Sequence, residues 1–67
     1  MTAKTAPTFA ARLTALREAR GWTVYRLAKE TGLSAQTLHN LEGGSAPGWQ
    51  TVLRLAQALG VSVEEFR

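Results

Sequence analysis

One six-residue device occurs three times in this chain: an apolar residue, a Ser or Thr, three further residues, and a second apolar residue. It reads Trp22-Thr23 to Leu27, Leu33-Ser34 to Leu38, and Val61-Ser62 to Phe66. The hydroxyl of an N-cap residue accepts one of the backbone N–H groups that the first helical turn leaves without a partner. The apolar residues before the cap and four after it close over the turn as a hydrophobic staple. The third copy adds Glu65 three residues after Ser62, completing a capping box. Helices are therefore predicted to begin just after Thr23, Ser34 and Ser62. A weaker version, with glycine as the cap, runs from Pro47-Gly48 to Val52. Gly21, Gly32, Gly43–Gly44 and Gly60 stand where the preceding helices should stop. No segment alternates apolar and polar residues long enough to compete as a strand.

Before the first device, Phe9, Leu13 and Leu16 recur at helical spacing and share one face. The helix starting near Trp49 has the widest apolar face, with Trp49, Val52, Leu53, Leu55, Ala56 and Leu59, and is predicted to centre the core. The fold class that follows is all-α, a compact five-helix bundle. With 67 residues the chain makes one small domain, and a domain this size buries only about 60% of the surface its unfolded chain exposes. Good caps and one shared core must compensate. The apolar share of 45% is that of a globular chain. Residues 1–7 have no hydrophobic period and are expected to form a flexible arm, with the domain spanning 8–67. The Ser62-capped helix is short. It is expected to pack through Val61, Val63 or Phe66, or to continue in a longer protein.

Val24 to Leu41 forms a recognisable unit. Leu27 and Ala28 face inward from one helix, Gly32 breaks it, Leu33 plugs the turn, and Leu38 and Leu41 face inward from the next. Two helices crossing steeply need a small residue such as Ala28 at the crossing. The turn is predicted to need a positive φ at Gly32, which costs a residue with a Cβ about 1 kcal/mol or more. This is a helix-turn-helix, whose second helix can enter a DNA major groove. Sorting that helix by its period puts Gln36, His39 and Asn40 opposite the leucines, with Ala35 at the edge. Gln and Asn pair bidentately with adenine, and a small Ala can touch a thymine methyl. Eight Lys or Arg against five acids give +3, a balance that suits a nucleic-acid partner and equally the solubility of a small domain.

On LREARGWT (Leu16–Thr23), LAKETGLSAQTLHNLEGG (Leu27–Gly44) and TVLRLAQALGVSVEEF (Thr51–Phe66), the chain resembles a lambda-repressor-like (XRE/Cro-type) helix-turn-helix domain. The resemblance covers Phe9 to Phe66 and implies a five-helix fold. It also implies a sequence-specific duplex-DNA-binding transcriptional regulator, typically a repressor, acting as a homodimer on a two-fold site. Residue by residue, it implies base contacts from Ala35, Gln36 and Asn40, with Thr37 and His39 meeting bases or nearby phosphates. It implies phosphate contacts at the start of the first motif helix, Thr23 to Tyr25, with Arg26, Lys29, Ser34 and the arm residue Lys4 as further candidates. Arg17 and Glu42 match a family ion pair that ties the first helix to the recognition helix. Arg12 and Arg54 are expected to be surface charges. Two departures stand out. Val24 replaces a frequent Gln, and the loop Gly44–Gly48, often basic in the family, carries no charge.

Other classes fit less well. One His, no Cys and five scattered acids supply neither a catalytic triad nor a metal-ligand set. An enzyme is not expected, nor a cofactor. Neither a membrane-spanning run nor a signal peptide is visible, so a cytoplasmic, bacterial or phage-type, nucleoid-associated protein is expected. The competing reading is a protein-interaction module, such as an antitoxin or adaptor with an effector or toxin partner and weak DNA binding. The uncharged loop favours it.

Overall fold

The computed structural model describes residues 8–66. The expected arm, Lys4 included, lies outside the described residues, as does Arg67. Four α-helices follow in order: α1 (Phe9–Ala19), α2 (Val24–Thr31), α3 (Ala35–Glu42) and α4 (Trp49–Leu59), then a 3-10 turn at Val63–Phe66. The caps explain the starts. Thr8, Thr23 and Ser34 each accept from the backbone N–H three residues on, at 3.1, 3.1 and 3.0 Å. Gly48 caps α4 without a side-chain bond.

The structure has four α-helices where five were expected. The segment after Ser62 closes with the tighter bond Glu65 N–H to Ser62 O at 3.0 Å. The Ser62 hydroxyl accepts from Glu64 N at 3.1 Å, one residue short of the capping-box position. A single turn of four residues gains few of the i→i−4 bonds that make an α-helix cooperative, and the 3-10 form suits so short a piece. Phe66 is nonetheless buried, and its ring lies 5.1 Å from that of Phe9. The two ends of the described chain therefore meet.

Each element contributes to one core: Leu13 from α1, Leu27 from α2, Leu38 and Leu41 from α3, Leu55, Ala56 and Leu59 from α4, and Phe66. Phe9 and Leu16 pack against its margin. Helix α3 packs on α1 and α2, while α4 packs on α2 and the C-terminal turn. Each fully buried leucine contributes about 1.5–3 kcal/mol relative to exposure. Trp49 departs from expectation. It is 61% exposed, because it is the first residue of α4 and burial on that helix begins a turn later, at Val52. Leu53 is only half-buried.

Arg54 is exposed, as expected of a surface charge, whereas Arg12 is half-buried. Arg12 Nη1 donates to Glu65 O at 3.2 Å, and its Nε is buried without a partner. Arg54 Nη1 reaches Thr31 O at 3.5 Å. Arg20 Nη2 donates to Leu59 O. Helix C-termini leave carbonyls without partners and carry a partial negative charge, so guanidinium groups settle there.

Leu38→Ala is expected to destabilise the domain by roughly 2–5 kcal/mol, as a core truncation that leaves a cavity. Gln36→Ala, on the exposed side of the same helix, should stay within about 0.5 kcal/mol. Urea melts of the two variants separate these outcomes.

Candidate nucleic-acid interface

The angle between α2 and α3 is set within a few residues. Gly32 adopts φ 78°, ψ 7°, the left-handed conformation that a Cβ disfavours. Thr31, buried just before it, donates its hydroxyl to Leu27 O at 2.8 Å and accepts from Leu33 N at 3.2 Å. One side chain thus closes the last turn of α2 and starts the turn toward α3. Leu33 then packs against the core while Ser34 opens the next helix.

With Leu38 and Leu41 fixed inside, Gln36, His39 and Asn40 are exposed, and Ala35 and Thr37 are half-buried at the edges. These side chains meet in pairs. Gln36 Nε2 donates to Asn40 Oδ1 at 3.1 Å. Ser34 Oγ donates to Thr37 Oγ1 at 2.9 Å while accepting from Thr37 N. The hydroxyl proton of Ser34 is thus engaged within its own helix start. The Tyr25 and His39 rings stand edge to face with centroids 6.3 Å apart, which links the start of α2 to the middle of α3. Tyr25 is 71% exposed.

The phosphate candidates differ among themselves. Thr23 is exposed and accepts from Arg26 N at the start of α2, where free N–H groups and the positive helix end favour an anion. Arg26 pairs with Glu30 at 2.8 Å and stacks over Trp22 at 5.0 Å, with Arg20 over the same ring at 5.4 Å. Lys29 is exposed. Among the described Lys and Arg residues, it alone has no side-chain bond, ion pair or ring contact.

Arg17 lies beneath this face. Its Nε donates to Glu42 Oε2 at 2.7 Å and its Nη2 to Glu42 Oε1 at 3.1 Å. Its Nη1 donates to Trp22 O at 2.7 Å. Thr14 Oγ1 adds a bond to Glu42 Oε1 at 3.1 Å. Both charged side chains are 13% exposed. The hydrogen bond with Glu42 raises the Arg17 pKa above its already high ordinary value, against the opposing effect of burial. A raised basic pKa stabilises the fold below the unfolded pKa and loses that contribution only as pH climbs through the folded pKa. From the Arg17 side the pair is therefore constant across the neutral range.

Thr14 and Thr31 were not legible as site residues. Thr14 stands three residues before Arg17, on the same helix face, and that spacing was the available signal. For Thr31, its place directly before the turn glycine was the hint. Nothing in the sequence assigns particular arginines to particular carbonyls.

Two short helices joined through Gly32, the second presenting a polar outer face, define a helix-turn-helix. The chain belongs to the helix-turn-helix domain family, whose model matches residues 8–67, and within it to the lambda-repressor-like type. Among solved structures it is similar to the restriction-modification controller protein C.AhdI from Aeromonas hydrophila. That match has 32% identity and a TM-score of 0.83 over 88% of this chain and 91% of that one. It is also similar to an HTH_3 family transcriptional regulator from Vibrio cholerae, at 33% identity and a TM-score of 0.84, over 90% of this chain and 34% of that one. SinR, a master regulator for biofilm formation solved in complex with DNA, shares the fold at 23% identity. Its TM-score is 0.83, over 88% of this chain and 97% of that one. No curated protein sequence matches.

Arg17→Ala leaves the largely buried Glu42 carboxylate with only Thr14 to bond it, and should cost roughly 2–4 kcal/mol. Arg17→Lys should recover little of this, because an ammonium cannot make the two-pronged bond and also reach Trp22 O. Thermal unfolding at neutral pH tests both; a lysine variant as stable as the parent would contradict the fork.

Proposed function

We propose that this domain is a sequence-specific duplex-DNA-binding transcriptional regulator that lays α3 in the major groove. The observation that carries the reading is the exposed row Gln36, His39 and Asn40 on a helix anchored from behind by Arg17. Amide side chains suit adenine edges, and Ala35 and Thr37 flank them where a thymine methyl or a phosphate would lie. The N-terminus of α2, with Thr23 and Tyr25, and the side chains of Arg26 and Lys29 would meet the backbone. Ser34 contributes through its helix start, since its hydroxyl proton is engaged by Thr37. The similarity to a controller protein and to a transcriptional regulator, each at about one third identity, supports the regulatory role. Two copies on a two-fold site, with half-sites about 34 Å apart, would double a small contact area. Repression by occupying the site is the simplest mode for such a domain. Among the described residues no helix is long and apolar enough to cross a membrane. A cytoplasmic, nucleoid-associated location fits a DNA ligand.

One observation favours a second reading, a protein-interaction module of the antitoxin or adaptor kind. Arg17 is neutralised by Glu42, and Arg12, Arg20 and Arg54 each hold a guanidinium N–H on a backbone carbonyl, so fewer cationic side chains are free to reorient toward phosphates. The loop from Gly44 to Gly48 adds none.

Fluorescence anisotropy with random duplex DNA at low and moderate salt separates the readings. DNA binding predicts that affinity falls with salt by about 0.9 log unit per log unit of salt for each phosphate neutralised. With Arg26 and Lys29 as the cationic phosphate candidates among the described residues, a slope of about −2 per domain is expected. No binding at low salt would favour the protein partner. In the same assay on a selected site, Gln36→Ala should lose preference for that site while keeping its affinity for random DNA.

A further inference from the structure

Gln36 and Asn40 lie one turn apart on α3, both exposed, and their amides are bonded: Gln36 Nε2 donates to Asn40 Oδ1 at 3.1 Å. A glutamine amide that is not held rotates freely and presents its acceptor and donor in either order. Adenine in the major groove requires one order, an acceptor against its N6 amino group and a donor against N7. Asn40 removes the ambiguity. With one Nε2 hydrogen held along the helix, Gln36 turns its Oε1 and its second N–H outward in a fixed sequence. Asn40 has one of the two acceptor sites of its carbonyl oxygen taken by Gln36, which favours its Nδ2 donors as the groups left to meet DNA. Position along the helix points the same way. The N-terminal residues of a recognition helix meet base edges. Gln36 is the second residue of α3, whereas Asn40 stands two residues from its end.

We propose that Gln36 reads one adenine and that Asn40 is its positioning residue, so that the pair specifies one base pair instead of two. This rests on the DNA-reading role proposed above for α3 and divides the work within that face.

The test is site selection from a random duplex pool by the whole chain, its Gln36→Ala, Asn40→Ala and Asn40→Asp variants, and the double alanine variant. Both single alanine variants should relax preference at the same base pair, with Gln36→Ala losing about 5- to 150-fold discrimination there. The double variant should lose no more than Gln36→Ala alone, since coupled residues are not additive. Asn40→Asp keeps an oxygen for Gln36 Nε2, so it should keep the base preference while binding every sequence more weakly. In the DNA-free protein, Asn40→Ala should shift the Gln36 side-chain amide NMR signals toward those of an unbonded glutamine, and unchanged signals would overturn the proposal. Relaxation at two different base pairs, losses that multiply in the double variant, or an Asp variant as relaxed as the alanine would also overturn it. If the parent protein enriches no sequence, the DNA-reading role fails and the division of labour falls with it. If the parent enriches a site but the two residues act independently, only the division of labour fails.

Discussion

Arg17 reaches from α1 to two places at once. Its Nε and Nη2 hold both oxygens of Glu42 at the end of α3, and its Nη1 donates to Trp22 O just before α2 begins. Leucine contacts alone bring helices together without fixing their roll, because apolar burial has no direction. The guanidinium fork supplies direction, and Thr14 takes up part of the remaining capacity of the carboxylate. Such a pair adds little net stability over a well-packed apolar substitute, because desolvation opposes the attraction. Its effect is on angle. A side chain that must meet a base edge tolerates only about 0.5 Å and 10–20° of misplacement. The outward face of α3 is only as well aimed as this bond behind it.

The rest of the framework acts on the same angle from the other side. Thr31 and Gly32 fix the chain between α2 and α3, and Leu27, Leu38 and Leu41 fill the space beneath. Phe66 folds the C-terminal turn back onto Phe9, so α1, which carries Arg17 and Thr14, is itself held at both its neighbours. A domain this small has few redundant contacts. Its core is one shared cluster to which every element gives one to three side chains.

Much of this was written in local signals. The hydroxyl caps Thr23 and Ser34 marked the starts of α2 and α3 correctly, because capping depends on neighbours three residues away. Gly32 marked its own positive φ for the same reason. The outward position of Gln36, His39 and Asn40 followed from periodicity alone. What failed was non-local or depended on length. Ser62 carries the same cap signal as Ser34, yet the four residues after it form a 3-10 turn. Trp49 keeps the helical period of its neighbours but stands beyond the part of α4 that another helix covers. The arginine bonds to Glu65 O, Leu59 O and Thr31 O join residues 23 to 53 positions apart, and no spacing rule reaches that far.

Those arginine bonds bear on how such a domain would behave among a vast excess of irrelevant DNA. Affinity for random sequence comes almost wholly from cations free to replace counterions along the phosphates. Here the guanidinium groups of Arg12, Arg17, Arg20 and Arg54 also bond within the molecule, so they keep their charge but are less free to reorient toward a phosphate. On duplex DNA of random sequence, such tethering would weaken retention without abolishing it. If the domain reads DNA as proposed, its preference for one site over the rest would rest on base contacts more than on charge.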